Sequence, residues 1–134
     1  MNNFDTGESL TSLADVYYNE LVRAYDMELW NVVVRHAQEV VELSLKGLLK
    51  TMGVEYPKSH DVGGLFGLIC TEMGFKVEPQ ELAELKNISS YLADARAPAF
   101  YMERIYDKQS ADKARADAEK VLNFAKSFAQ MLRN

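Results

Sequence analysis

A chain of 134 residues is long enough to bury one sizeable core without disulfide or metal support, so one domain over residues 1–134 is expected. Hydrophobic residues make up 48% and charged residues 26%, which excludes a disordered or fibrous chain. A formal charge of -5 argues against a general nucleic-acid binder, which gathers excess Lys and Arg to replace counterions on phosphates.

The charge is unevenly spread. Residues 1–30 set Asp5, Glu8, Asp15, Glu20, Asp26 and Glu28 against Arg23 alone, whereas residues 102–134 carry seven basic and five acidic side chains. A local cationic surface toward the C-terminus is therefore an open expectation. No apolar run reaches the roughly 20 residues that span a bilayer. The opening Met1-Asn2-Asn3-Phe4-Asp5 lacks the basic start and apolar core of a signal peptide, so a cytoplasmic location without membrane association is expected.

Apolar residues recur at intervals of three and four throughout, which predicts an all-α, up-and-down bundle of four to five helices. The first helix is expected from about Leu10 to Met27, with Leu10, Leu13, Tyr17, Leu21 and Ala24 on one face and Ser9 or Thr11 as its N-cap. The second is expected from about Glu28 to Met52, with an inward stripe of Trp30, Val33, Ala37, Val41, Ser44, Leu48 and Met52; Gly53 supplies its stop.

A short third helix, about Asp61 to Met73, places Leu65, Leu68 and Ile69 on one face. Gly63, Gly64 and Gly67 cost it helix propensity. Its lone cysteine, Cys70, reads as a buried small hydrophobe. Pro79 opens a fourth helix through about Ala95, with Leu82, Leu85, Ile88 and Leu92 inward, and Pro98 closes it. Residues 96–109 lack a clean period and are rich in aromatics, which predicts an ordered, packed loop. The last helix starts near Ser110 with Ala111, Ala114, Ala118, Val121, Ala125, Phe128 and Leu132 inward.

Four features carry chemistry. Arg35, Glu39, Glu42 and Lys46 form one line opposite the apolar stripe of the second helix, either as a solvated salt-bridge ladder or as a row facing a cleft or partner. His36, at the edge of the stripe, reads as packed and hydrogen-bonded. Lys58, Ser59 and His60 precede the third helix, where free amides favour anions; Ser59 or Asp61 capping that helix explains the same residues. Arg96 stands beside Phe100 and Tyr101, combining a phosphate-matching guanidinium with rings that stack on bases, and a helix cap with core packing accounts for them equally. Two histidines without cysteine partners or a His-Glu-x-x-His pattern support no zinc site, and Walker and Gly-x-Gly-x-x-Gly loops are absent, so no metal and no cofactor are expected.

The stretch from Arg35 to Lys50, the turn Gly53 to Asp61 and the segment Tyr91 to Arg96 together resemble the HEPN (higher eukaryotes and prokaryotes nucleotide-binding) domain family. That resemblance implies a four- or five-helix bundle, a homodimer with a cleft near its interface, and a nucleotide or RNA ligand. It also implies a minimal nucleotidyltransferase as partner in a toxin-antitoxin pair. Nuclease members carry Arg-x(4 to 6)-His, a base and a cation that serve cleavage beside a 2'-hydroxyl. Here Tyr101, Met102 and Glu103 stand five to seven residues after Arg96 and no histidine follows. The expectation is therefore a catalytically silent binding module with Arg96, Lys46, Glu42, Lys58 and His60 around the cleft. The alternatives are a metal-independent RNase remodelled around His60, or a helical interaction scaffold.

Overall fold

The computed structural model describes residues 2–134, and Met1 lies outside the described residues. Five helices follow one another: α1 (Asn3–Asp26), α2 (Trp30–Thr51), α3 (Gly63–Glu72), α4 (Pro79–Phe100) and α5 (Lys108–Arg133). There is no strand among the described residues, and the all-α bundle expected from the periodicity is the observed fold. The central element is α2, which packs against each of the other four helices.

Helix α1 begins well before Leu10. Asn2, rather than Ser9 or Thr11, is its N-cap, with the side-chain oxygen accepting a hydrogen bond from the Asp5 amide at 2.8 Å. The extra turns are held by a close crossing: a Cβ on Gly7 would lie 2.1 Å from Thr51 Oγ1 and 2.6 Å from the Gly47 carbonyl. Only glycine lets the two backbones meet there. The inward line of α1 keeps Leu21 and Ala24 from the expected stripe, with Ala14 buried in place of Leu13, which faces largely outward.

Helix α2 ends as its glycine foretold. Gly53 adopts φ 79° and Val54 donates its amide to the Leu49 carbonyl at 2.9 Å, the six-to-one bond of a Schellman stop. In α3 Phe66 and Cys70 are the fully buried side chains, Leu65 and Ile69 pack half-buried against the core beside them, and Leu68 is exposed. The rotation is set at Gly63, where a Cβ would lie 2.6 Å from the Ser89 Cβ. Phe66 then joins Phe124 and Phe128 edge to face, with Phe75 against Phe128, at centroid separations of 5.2–5.8 Å.

Helix α4 continues through Pro98 to Phe100, so the proline does not close it. The missing amide costs one ladder bond, but Asn31 fastens this end from α2. Asn31 Nδ2 donates to the carbonyls of Ala99 at 3.1 Å and Arg104 at 2.8 Å, and its Oδ1 accepts from the Tyr106 amide at 2.8 Å. The loop is consequently only residues 101–107, and Tyr106 is its one buried side chain; Tyr101, Met102 and Ile105 face outward. Asp107 caps α5 by accepting from the Ser110 amide at 2.8 Å, three residues upstream of the expected start. The basic excess of α5 meets the acids of α1, through Lys126 with Asp15 at 2.7 Å and Arg133 with Glu8 at 3.9 Å, so part of the expected cationic surface is neutralised by exposed ion pairs between the two helices.

Candidate functional site

The polar line on α2 is not a solvated ladder. The side chains of Glu39, Glu42 and Lys46 are only 14%, 15% and 11% exposed, sheltered under the turn at residues 57–62 and by α4. Shelter from water makes each of these contacts cost more to leave unmade and constrains geometry more tightly than a surface ladder does.

Glu42 is the hub. Its Oε2 accepts from Lys46 Nζ at 2.8 Å, and its Oε1 accepts from Gln38 Nε2 at 2.9 Å and meets His60 Nδ1 at 2.8 Å. Burial pushes the Glu42 carboxyl up, but the hydrogen bonds from Gln38, Lys46 and His60, with the lysine charge, outweigh it and hold the group below its ordinary value. Gln38 is itself buried; its Nε2 also donates to the His60 carbonyl at 3.2 Å, and its Oε1 accepts from Arg96 Nη1 at 2.7 Å. One continuous network therefore joins Lys46, Glu42, His60, Gln38 and Arg96.

The turn that carries His60 is fixed on its other side. Ser89 Oγ donates to Asp61 Oδ1 at 2.7 Å, and the Gly63 amide donates to Ser89 Oγ at 3.2 Å. Neither Ser59 nor Asp61 is the N-cap of α3, which is Val62 without a side-chain cap bond; Asp61 instead ties the turn to α4 through Ser89, while Ser59 closes a local bond with the Asp61 backbone. A carboxylate only accepts, so in the His60–Glu42 contact the proton belongs to Nδ1, and Nε2 takes no part in that bond. His36 is the packed, hydrogen-bonded residue the sequence suggested: its Nδ1 meets Glu39 Oε1 at 2.8 Å.

His60 and Arg96, 36 residues apart in the sequence, come together on the rim of two adjoining cavities. The larger, about 440 Å³, is lined by Arg35, His60, Ala93, Arg96, Ala97, Phe100 and Tyr101. The smaller, about 170 Å³, adds Glu39, Glu42 and Tyr17. The Arg35 guanidinium stacks over the Phe100 ring at 4.1 Å, and Tyr101 meets Phe100 edge to face at 4.8 Å. Lys46 and Lys58 line neither cavity; Lys46 is spent on Glu42 and leans over the Tyr56 ring at 5.1 Å. Phe100 and Tyr101 are exposed rather than packed into the core.

Two contributors lie outside the set of residues expected around the cleft. Arg35 stands one turn before Glu39 in the polar line, a visible signal for its side of the helix. Gln38 stands in the Ala-Gln-x-x-x-Glu-x-x-x-Lys spacing that carries the family resemblance, but only the fold shows that its neutral amide links His60 to Arg96. Among the described residues, no group of three or more His, Cys, Asp or Glu side chains is placed to hold a metal ion, and no helix is long and apolar enough to cross a membrane.

Fold and site together define a small helical domain with a cationic, aromatic-rimmed cleft beside its central helix. The HEPN domain model matches residues 8–128, and the protein belongs to the HEPN domain family, a family of nucleotide-binding and RNase-like modules. No curated protein and no solved structure matches the chain.

Proposed function

We propose that this protein is a homodimeric nucleotide- or RNA-binding module whose ligand occupies the cavity between α2, α4 and the His60 turn. The observation that supports it most is the lining: two guanidinium groups, an imidazole and two aromatic rings converge there in a chain of net charge -5. Guanidinium forks match phosphate oxygens, and exposed rings offer stacking faces to bases. Arg96 and His60 border the ligand, Glu42 and Lys46 support His60 from beneath, and Lys58 contributes its charge from the turn. In the cell the module acts in the cytoplasm as regulatory partner of a minimal nucleotidyltransferase in a toxin-antitoxin-like pair. Equilibrium binding of ATP and a short single-stranded RNA at low salt, with light scattering for the dimer, tests the reading; a monodisperse protein that binds neither overturns it.

The His60–Glu42 contact favours a second reading, metal-independent RNA cleavage. In this reading Nε2 takes the ribose 2'-hydroxyl proton as O2' bonds to phosphorus, and the two arginines face the charge of the phosphorane. The P–O5' bond breaks as the imidazolium returns the proton to the leaving 5'-oxygen. This predicts RNA cleavage in EDTA that is abolished in His60→Ala. Cleavage at an unchanged rate in that variant eliminates it.

A further inference from the structure

The two arginines of the cavity are in opposite states. Arg96 is committed: Nη1 donates to Gln38 Oε1 at 2.7 Å and lies 3.9 Å from Glu39 Oε2. Arg35 has no carboxylate at ion-pair distance among the described residues, and its buried Nε has no hydrogen-bond partner. Its guanidinium face rests on Phe100 at 4.1 Å. Stacking occupies the face of the planar group and leaves the in-plane N–H edges for a bidentate acceptor.

We infer that Arg35 is the cation that takes the ligand's phosphate, and that Arg96 is a positioning residue that holds Gln38 and, through it, the His60 turn. The inference rests on the proposed binding function and assigns the anion contact to a residue outside the Arg96-centred motif. A guanidinium already satisfied by a buried amide and an adjacent carboxylate gains little from a phosphate and must first surrender those partners. Arg35 surrenders no ion pair; its Nε is buried, so an entering phosphate oxygen meets the terminal N–H groups on the cavity side. The aromatic shelf beneath it pre-orders the side chain, so little rotamer freedom is lost on binding. The ligand class is a phosphate borne by a group that can stack on Tyr101, as in a nucleotide or single-stranded RNA.

The test compares inorganic phosphate, AMP and a short oligo(A) RNA as probes for wild type, Arg35→Gln, Arg35→Lys and Arg96→Gln, with urea unfolding of each variant. Arg35→Gln is expected to weaken AMP and RNA binding at least tenfold at an unchanged urea midpoint. Its salt dependence, as the slope of log affinity on log salt, falls in magnitude by about 0.7, the value for one phosphate contact on a single strand. Arg35→Lys restores the slope but not the full affinity, because a lysine neither stacks nor forks. Arg96→Gln lowers the urea midpoint and keeps the wild-type slope. Wild-type affinity and slope in Arg35→Gln, with both lost in Arg96→Gln, overturns the assignment and leaves the binding function standing. Wild-type protein that binds no probe overturns both.

Discussion

The two ends of the polar line on α2 differ in what their hydrogen bonds leave over. Toward Lys46 every charge is matched: Lys46, Gln38 and His60 converge on Glu42, and Gln38 passes the network on to Arg96. Toward Arg35 the pairing stops, and a guanidinium, the rim of His60 and two rings open onto a cavity of about 440 Å³. A satisfied buried network rigidifies, whereas an unsatisfied group beside a cavity is available to a ligand. The same helix thus supplies the frame and the contact, and variants at its two ends should fail in different ways.

The largest effect is expected inside the network. Gln38→Leu keeps the volume but removes the acceptor for Arg96 and one donor to Glu42, leaving a half-buried cation and a sheltered carboxylate underpaired. That should cost about 3 kcal/mol in urea unfolding, with ligand affinity reduced as a secondary result of a displaced His60 turn. A variant as stable as wild type would mean that Arg96 and Glu42 find other partners, and the contrast between the two ends would collapse.

The opposite failure is expected at the cavity mouth. Tyr101 is 69% exposed and touches Phe100 by its edge, so Tyr101→Ala should leave stability within about 0.5 kcal/mol of wild type. Loss of a stacking face should nevertheless cost about 1–3 kcal/mol of affinity for single-stranded RNA. Equal RNA affinity in calorimetry for the two proteins would remove the ring from the binding surface.

How much of this contrast the sequence carried depends on the range of the interaction. The 3.6-residue period, Gly53 and Pro79 mark helices through local backbone physics, and these elements were legible. The rotation of α3 was not, since it is decided by Gly63 against Ser89, 26 residues away. Pro98 misled because a local rule, that proline ends a helix, was overruled by Asn31 reaching across from α2 to hold the α4 terminus. In the site, His60 and Arg96 were legible as residues, but their meeting was not, because a glutamine visible only as part of a spacing becomes the link between them once the fold buries it. Lys46 and Lys58 carried the right charge for a phosphate but lie off the cavity.

A smaller effect separates the two ends by pH. The Glu42 carboxyl is held below its ordinary value of 4.5, so its contribution to stability is complete above that value and is lost as pH falls through the lowered one. Wild type should therefore lose stability more steeply than Glu42→Gln below about pH 4.5, as followed by urea midpoints across the acid range. Parallel curves would show that Glu42 is not the acid-sensitive hub. Arg35→Gln, at the other end, should track wild type in the same experiment, since no titrating partner is bound to it.

The smallest effect falls on Lys58, and it sharpens where the cavity ends. Lys58 is exposed on the turn and lines neither cavity, so its charge reaches a bound phosphate only across water. At physiological ionic strength such a charge is screened over about 8 Å. Lys58→Ala should therefore weaken RNA binding by a few tenths of a kcal/mol at low salt and leave it unchanged near 0.15 M salt. A loss that persists at that salt would require direct contact, and the binding surface would then extend from the Arg35 cavity over the turn rather than stopping at His60.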